Sequence, residues 1–440
     1  MSDAHATPLE QEPQWFGQPR GLTIIFLTEM WEKFSYYGMR AMLVYYMTRQ
    51  LMLPQHQASL VYGTYTAFVY FTPIIGGGIA DRWLGKRRAV IIGASLMALG
   101  HFMMTFELLF YFALGSIALG NGLFLPSLPS QIKGLYAARD ARVKRAYSVY
   151  YVGINVGGFI APVVCGTIGE LYGWHYGFAL AGVGMLIGLA TYLAGTRYLP
   201  VQEVAPAANE ARAHAAPQSN NRFLLLAAIM LIVVLLRGSY EQIGNTVALW
   251  AADGIDRTTH SGFVIPMTWF QSLNSLFVFL LTPFVIGLWT WQAKSRREPS
   301  SLSKMAVGAL IVAASYLMLA AVSADAAGAR AGWWWLVLFF AVITTGELYV
   351  LPVGLGLFAR LAPAGFGATL IAAWYFAAFG GNLLAGAIGT RWNLLGHTAF
   401  FLCMAALASA AALLLKLLDP AGRRAEAQAG ADEDSSAKVA

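Results

Sequence analysis

Long apolar segments alternate with short polar stretches along the whole chain. A helix that crosses a bilayer needs about 20 apolar residues, and twelve segments approach or exceed that length. They lie near residues 21–48, 57–80, 87–106, 108–136, 144–168, 175–198, 222–252, 262–293, 303–323, 332–360, 366–388 and 395–418. The pattern therefore predicts an all-α integral membrane protein with twelve spanning helices.

A polar stretch near the middle of the chain divides these spans into two sets of six. Residues 200–221 are rich in Ala, Gln, Asn, Glu and Pro, which predicts a solvated linker. We accordingly expect an N-terminal six-helix bundle at 20–199 and a C-terminal six-helix bundle at 222–419. The polar ends of the chain, 1–19 and 420–440, are expected to be disordered.

The composition agrees with a membrane protein. Of the 440 residues, 58% are hydrophobic and 12% are charged, and the charged fraction is about half of that in soluble domains. The mean hydropathy is +0.58. The cysteines Cys165 and Cys403 lie in apolar segments, so we expect neither a disulfide framework nor a metal site. No cofactor is expected.

The net charge of +7 is not spread evenly over the loops. Basic residues cluster at 82–88, 133–145 and 294–304, whereas the loops between these clusters contain isolated arginines such as Arg49 and Arg257. The positive-inside rule then predicts that both termini are cytoplasmic. Because the basic loops alternate with the spans, the charge does not indicate a nucleic-acid partner.

The first span contains six ionisable or phenolic side chains on one helical face. Their spacing of i, i+3, i+4, i+7, i+8 and i+11 follows the helical period. They are Glu29, Glu32, Lys33, Tyr36, Tyr37 and Arg40. Charges within a bilayer are costly unless they face a partner or a polar cavity, so this face indicates a functional site. A structural charge cluster that joins helices is the alternative.

The same segment resembles the ExxERFxYYG signature in the first helix of the proton-coupled oligopeptide transporters, a branch of the major facilitator superfamily. The matching residues are Glu29, Glu32, Lys33, Phe34, Tyr36, Tyr37 and Gly38, with Lys33 in the place of an arginine. Residues 76–88 resemble the GGxxADRxxGxRR loop of that superfamily. The resemblance implies two six-helix bundles around a polar cavity, alternating access and a monomer.

Later spans resemble further motifs of the family, in the same order along the chain. Their central residues are Asn155, Glu241, Asn274, Glu347 and Trp374. For Asn155, a hydrogen bond between helices is the structural alternative. Glu347 is a lone carboxylate in an apolar helix and is suited to the ammonium group of a substrate.

The resemblance implies a role for each of these polar residues. Proton coupling is expected from Glu29, Glu32, Lys33, Arg40, Glu241 and Glu347. Substrate binding is expected from Lys33, Tyr36, Tyr37, Tyr70, Asn155, Asn274, Glu347 and Trp374. Gating is expected from Arg40, Arg237 and Glu241.

Two positions depart from the family pattern. Leu125 stands where the family has a lysine in Gly-x-Gly-x-x-Lys-Pro, and Lys33 lacks the planar fork of an arginine. Arg237 precedes Glu241 by one helical turn and can pair with it. Arg237 is also a candidate to restore the positive charge missing at Leu125, and snorkelling toward the membrane interface is the alternative.

These observations lead us to expect import of di- or tripeptides, or of peptide-like zwitterions, driven by a proton gradient across a bacterial inner membrane. The alternative is a transporter of the same fold for a modified peptide, a secondary metabolite or an anion, with altered or absent proton coupling. A non-transporting sensor is a further alternative. The sequence contains no HExxH or GxSxG motif, so an enzyme is not expected.

Overall fold

The computed structural model describes residues 14–15, 17–137, 140–200, 220–295, 297–361 and 367–439. The central part of the predicted linker, 201–219, lies outside the described residues. So do the first thirteen residues and the basic residues Arg139 and Arg296.

Helices make up most of the described chain. They are α1 (Arg20–Tyr45), α2 (Gln55–Ile79), α3 (Lys86–Met103), α4 (Phe110–Ser127), α5 (Arg142–Tyr172), α6 (Trp174–Gly195), α7 (Asn220–Tyr240), α8 (Thr246–Asp253), α9 (Trp269–Lys294), α10 (Ser301–Asp325), α11 (Trp334–Leu361), α12 (Gly367–Gly389), α13 (Trp392–Leu395) and α14 (His397–Val439). Short 3-10 or π segments lie at Tyr46–Gln50, Ala80–Leu84, Glu107–Leu109, Pro129–Leu135, Thr196–Tyr198 and Glu241–Gly244.

Two pairs of very short strands accompany the helices. Strand β1 (Gln14–Trp15) pairs with β2 (Gln18–Pro19) in antiparallel orientation. Strand β3 (Ile255–Asp256) pairs with β4 (Ala331–Gly332) in parallel orientation. The second pair joins the segment after α8 to the segment before α11.

Nine helical segments of the described chain are long and apolar enough to cross a membrane. They coincide with nine of the predicted spans. The other three predicted spans are also helices, namely α1, α3 and α12. Length and composition alone do not establish these three as spans, and in α1 the charges of Glu29, Glu32 and Lys33 lower the hydropathy.

The chain divides into two compact units. Unit 1 contains Met1–Met42 and Phe71–Ala207, and unit 2 contains Leu43–Tyr70 and Ala208–Ala440. The end of α1 and the first part of α2 therefore group with unit 2. The bundle boundaries expected from the sequence stay a prediction, since the linker lies mostly outside the described residues.

Within unit 1, glycines allow α1 and α5 to approach closely. A Cβ atom added to Gly157 would lie 2.3 Å from the carbonyl oxygen of Met30 and 3.0 Å from Cβ of Lys33. A Cβ atom added to Gly38 would lie 2.9 Å from the sulfur of Cys165. Such distances are possible only with glycine, so α5 holds the charged face of α1 in place.

Within unit 2, residues 43–70 pack against α8 and α12. The hydroxyl of Tyr45 donates a hydrogen bond of 2.9 Å to the carbonyl oxygen of Ala248. A Cβ atom added to Gly63 would lie only 2.3 Å from Cα of Gly386, so the two backbones are in contact. This packing explains why the first part of α2 belongs to unit 2.

A second glycine contact in unit 2 positions α11. A Cβ atom added to Gly346 would lie 2.8 Å from the carbonyl oxygen of Gly308 in α10. The hydroxyl of Tyr316 in α10 donates to the carbonyl oxygen of Ser239 in α7 at 2.6 Å. Glu347, the residue after Gly346, thereby lies on a helix that packs closely against α10.

The start of the described chain, residues 14–15 and 17–19, packs against the rest of unit 1. The other residues of the segment 1–19 lie outside the described residues, so the expected disorder stays a prediction. Strands β1 and β2 form a hairpin, and the hydroxyl of Tyr136 donates to Oε1 of Gln18 at 2.8 Å. The buried hydrogen bond to a residue 118 positions away gives this hairpin a tertiary contact that local composition does not reveal.

At the other end of the chain, α14 continues to Val439, within the segment 420–440 for which disorder is expected. Asp419 accepts hydrogen bonds from Ser303 at 3.0 Å and from Arg423 at 2.9 Å, and it also contacts Ser300. Glu426 accepts a hydrogen bond of 2.6 Å from Ser301. These contacts fix the helix beyond the apolar segment.

Candidate functional site

A buried charged cluster lies on α1 in unit 1. The ammonium nitrogen of Lys33 is 2.6 Å from Oε2 of Glu32 and 3.4 Å from Oε1 of Glu29. Both carboxylates are fully buried, and Lys33 is also buried. Burial removes the water that would otherwise solvate these charges, so each carboxylate depends on the ammonium group for stabilisation. The cluster therefore has two acids that share one cation.

Aromatic rings of α1 lie beside this cluster. The ring of Tyr36 is 5.8 Å from the ammonium nitrogen of Lys33, within the range of a cation–π contact. The rings of Tyr36 and Tyr37 are 5.3 Å apart and meet edge to face. Arg40, one turn further along α1, is half-buried. The predicted stripe is thus a continuous polar face in the structure.

Asn155 lies on α5, also in unit 1, and is buried. Its side-chain nitrogen donates to the carbonyl oxygen of Tyr151 at 3.0 Å, within the same helix. Among the described residues, Asn155 makes no hydrogen bond to another helix. The structure therefore does not contain the interhelical hydrogen bond that is the structural alternative for Asn155.

Leu125 on α4 is half-buried and contributes no charge to unit 1. The neighbouring glycine, Gly122, packs tightly on α2, since an added Cβ atom would lie 2.7 Å from Cβ of Thr72. Helix α4 is thus in close contact with α2. Position 125 lacks the cation that the resembled family has there.

In unit 2, a polar cluster surrounds Glu347. The side-chain nitrogen of Asn274 lies 2.7 Å from Oε2 of Glu347. The same nitrogen is 3.0 Å from the hydroxyl of Thr344 and 3.3 Å from the hydroxyl of Tyr240. Helices α7, α9 and α11 meet at this point. Among the described residues, no cationic side chain forms an ion pair with Glu347, so its negative charge has only neutral donors.

The sequence motifs predict a role for Asn274 and Glu347 but not for Tyr240 or Thr344. Thr344 precedes Glu347 by three residues and therefore shares its helical face. Tyr240 directly precedes Glu241 in the segment that resembles the family motif. The helical period and the motif could have predicted both positions, but not their shared contact with Asn274.

Arg237 and Glu241 form a second ion pair in unit 2. Nη2 of Arg237 is 3.2 Å from Oε1 of Glu241, and the two side chains are 8% and 3% exposed. The guanidinium carbon of Arg237 lies 5.3 Å from the ring of Tyr70. The arginine is thus buried and paired, which contradicts snorkelling toward an interface.

Trp374 on α12 packs against α11 within unit 2. A Cβ atom added to Gly354 would lie 2.2 Å from the indole ring, and the ring of Phe358 is 5.4 Å away, edge to face. Tyr70 lies 6.5 Å from Tyr375, the residue after Trp374. The predicted aromatic residues of unit 2 are therefore placed by packing on these helices.

Comparison with known proteins identifies the family. A family model described as the POT family matches residues 87–215 and 201–395. The chain is 32% identical to the peptide transporter YePEPT of Yersinia enterocolitica, over 93% of this chain and 96% of that protein. It is also 32% identical to a di-/tripeptide transporter of Lactococcus lactis, over 83% of this chain and 88% of that protein.

Solved structures agree with this result. A crystal structure of a peptide transporter POT in complex with sulfate is 28% identical and superposes with a TM-score of 0.88, covering 95% of this chain and 98% of that chain. This match confirms the expected all-α membrane fold of the major facilitator type. POT family members are transporters, so the expectation that the chain is not an enzyme is also confirmed. The chain belongs to the POT family of multi-pass membrane transporters.

Proposed function

We propose that this protein imports di- and tripeptides, or peptide-like zwitterions, across a bacterial inner membrane by alternating access coupled to protons. Relatives named as a peptide transporter and a di-/tripeptide transporter support the substrate class. A structure of a 28% identical peptide transporter POT variant contains alafosfalin. Both termini are proposed to be cytoplasmic.

The observation that carries the proposal is the environment of Glu347. This half-buried carboxylate accepts a hydrogen bond from Asn274, yet among the described residues no cationic side chain forms an ion pair with it. A carboxylate in such a site binds an ammonium group strongly, because the ion pair forms away from bulk water. We therefore propose that Glu347 and Asn274 bind the amino end of the substrate, and that Asn155 is a further substrate-binding residue.

Lys33 is the proposed partner for the carboxylate end of the substrate. It already pairs with Glu29 and Glu32, so a substrate carboxylate must compete with them. Protonation of Glu32 removes one competitor and leaves Glu29 as the remaining carboxylate beside the ammonium group. Substrate binding at Lys33 in turn favours protonation of the carboxylates that lose their cation. This competition links substrate and proton.

Proton movement and gating are also assigned to unit 2. Glu241, paired with Arg237 in the structure, is a further proton acceptor. Arg40, Arg237 and Glu241 are proposed as gating residues. Tyr36, Tyr37, Tyr70 and Trp374 shape the space for the side chains of the substrate. No cofactor is required, since the proton gradient supplies the energy.

The alternative of a modified peptide, a metabolite or an anion rests on Leu125 and Lys33. The names of the relatives favour a peptide substrate over this alternative.

Uptake of labelled dialanine into proteoliposomes tests the proposal. An imposed inward proton gradient should produce accumulation above the outside concentration, and liposomes without a gradient should only equilibrate. Failure of the folded wild-type protein to take up dialanine under either condition would refute the peptide substrate.

The Glu32→Gln variant tests the coupling separately. It should abolish gradient-driven accumulation while exchange of substrate across the membrane continues, because the neutral amide cannot carry a proton. Glu107→Gln, at an exposed carboxylate, is the matched control and should accumulate dialanine normally. Normal accumulation by Glu32→Gln would remove Glu32 from the coupling role.

A further inference from the structure

A small cavity in unit 1 lies where α1 begins and where the chain leaves α6. Its volume is about 140 Å³, and its lining includes Arg20, Gly21, Gly134, Arg197 and Tyr198. The cavity is separate from the Glu29–Lys33 cluster, which begins more than two helical turns further along α1. None of the residues proposed for transport lines this cavity.

The lining of the cavity has two cations and, among the described residues, no acid. Neither Arg20 nor Arg197 forms an ion pair with another described residue. Two like charges beside one small space repel each other unless an anion lies between them. The cavity is therefore electrostatically suited to a negatively charged group.

Aromatic rings hold both guanidinium groups in position. The guanidinium carbon of Arg20 lies 5.2 Å from the ring of Trp15 and 5.8 Å from the ring of Tyr198. The guanidinium carbon of Arg197 lies 4.8 Å from the same Tyr198 ring. Contacts with ring faces leave the N–H edges of a guanidinium group available for an oxyanion.

One donor of this pair is buried and unsatisfied. Nε of Arg20 is inaccessible to solvent and has no hydrogen-bond acceptor among the described residues. A buried N–H group without an acceptor is unfavourable and is rare in folded proteins. The protein alone therefore leaves the guanidinium group of Arg20 incompletely satisfied.

Arg142, at this end of unit 1, is an arginine whose charge is paired with a carboxylate. The guanidinium group of Arg142 donates to Asp140 at 2.8 to 3.2 Å. These hydrogen bonds hold the pKa of the Asp140 carboxyl below its usual range. Arg20 and Arg197 lack such a carboxylate among the described residues, although Arg142 lies on the same part of the unit.

The backbone around the cavity is adapted to close approach. A Cβ atom added to Gly21 would lie 2.5 Å from the carbonyl oxygen of Tyr198 and 2.5 Å from a methyl carbon of Leu135. Glycine thus brings the first turn of α1 next to Tyr198. The free N–H groups of this first turn add a partial positive charge near the cavity.

We propose that Arg20 and Arg197, held by Trp15 and Tyr198, form a binding site for a phosphate-type oxyanion. Arginine is well matched to phosphate because its N–H donors fit two oxygens at once. The site lies at the beginning of α1, where the headgroups of an anionic phospholipid and free inorganic phosphate are both possible sources. Basic pockets between transmembrane helices on the cytoplasmic side bind anionic lipid headgroups.

Binding to the full-length protein in detergent tests this proposal with two probes. Inorganic phosphate is titrated while thermal unfolding is followed. Separately, phosphatidylglycerol is added to mixed micelles, with phosphatidylcholine as reference, and bound lipid is counted by native mass spectrometry. The test variant is Arg20→Gln/Arg197→Gln. The control is Arg330→Gln/Arg391→Gln, which removes the same charge from two exposed arginines elsewhere.

The wild-type protein and the control should bind at least one probe, and the test variant should bind it at least tenfold more weakly. Binding of phosphatidylglycerol alone identifies a lipid headgroup as the ligand, and binding of phosphate alone identifies a soluble anion. Equal binding by the wild-type protein and the test variant would overturn the proposal for both sources, as would an equal loss in the control.

A single substitution tests the same site with a smaller risk that the variant fails to fold. Arg197 is exposed, so Arg197→Gln should fold normally and weaken binding of the same probe about threefold or more. Transport of dialanine by this variant is measured separately, because the proposed anion site does not depend on the proposed substrate. Unchanged probe binding in folded Arg197→Gln would also contradict the proposal.

Discussion

The two charged regions of this protein stabilise their buried carboxylates in different ways. In unit 1, Glu29 and Glu32 are fully buried and share the ammonium group of Lys33. In unit 2, Glu347 is half-buried and receives a neutral donor from Asn274. The first region contains its own counter-ion, whereas the second lacks one among the described residues. We infer that the first must be opened by protonation or competition, and that the second is ready to receive an external cation.

Removal of the shared cation should have the largest effect. Lys33→Met leaves two buried carboxylates without a counter-ion, and breaking a buried ion pair in this way costs about 3–5 kcal/mol. Thermal unfolding in detergent should show a marked decrease in stability, and dialanine transport should be lost.

A rescue variant sharpens this prediction. The triple variant Glu29→Gln/Glu32→Gln/Lys33→Met removes the stranded charges together with the cation, and it should regain most of the stability but not the transport. Equal stability of Lys33→Met and the wild-type protein would show that the carboxylates do not depend on Lys33.

Neutralisation of Glu347 should affect binding more than stability. Glu347→Gln removes the charge that is proposed to attract the substrate ammonium group, and hydrogen bonds to charged groups contribute about 1.5–3 kcal/mol. The affinity for dialanine should therefore fall by roughly 10- to 100-fold in equilibrium binding.

A matched ligand provides the control for this variant. N-acetyldialanine has no ammonium group, so any weak binding of it should be nearly the same in Glu347→Gln and in the wild-type protein. An equal loss for both ligands would mean that Glu347 does not recognise the amino end.

The position of the unit 1 cluster depends on the glycine contact between α1 and α5. An added methyl group at Gly157 meets the carbonyl oxygen of Met30 at 2.3 Å, so Gly157→Ala should destabilise the protein by about 1–3 kcal/mol. Gly115→Ala is the control, since nothing lies within 4 Å of its added Cβ atom. Thermal unfolding of the two variants should differ clearly, and equal values would show that α1 moves away easily.

Addition of the missing cation should have the smallest effect. Leu125→Lys introduces the lysine that the family pattern has at this position, and an ion pair in a partly exposed site contributes up to about 1 kcal/mol. The affinity for dialanine should increase by roughly fivefold. Dialanine amide, which has no carboxylate, should show no increase, and a gain for both ligands would contradict a role in carboxylate binding.

Much of the candidate site could be predicted because its chemistry is local in sequence. The face of α1 from Glu29 to Arg40 follows from the helical period alone. Arg237 and Glu241 are one turn apart on one helix, and their pairing in the structure agrees with that spacing. The functional roles of these residues stay proposals, which the variants above test.

Other features could not be predicted because they depend on residues that are distant in sequence. Tyr240 and Thr344 join the Glu347 cluster only because α7, α9 and α11 meet there. The composition beyond Asp419 predicts disorder. In the structure, Ser303 and Ser301 of α10 donate hydrogen bonds to Asp419 and Glu426 of α14.

The sequence by itself determined the apolar spans, the charged face of α1 and the family of this protein. These properties depend on the length of apolar segments, on the helical repeat and on motifs within single helices. The tertiary structure alone decided that Lys33 is shared by two carboxylates, that Glu347 has no cationic partner among the described residues, and that Arg20 and Arg197 face one cavity. The physical reason is that the distance between two charges and their burial determine whether they pair. Both are set by how helices from distant parts of the chain pack together.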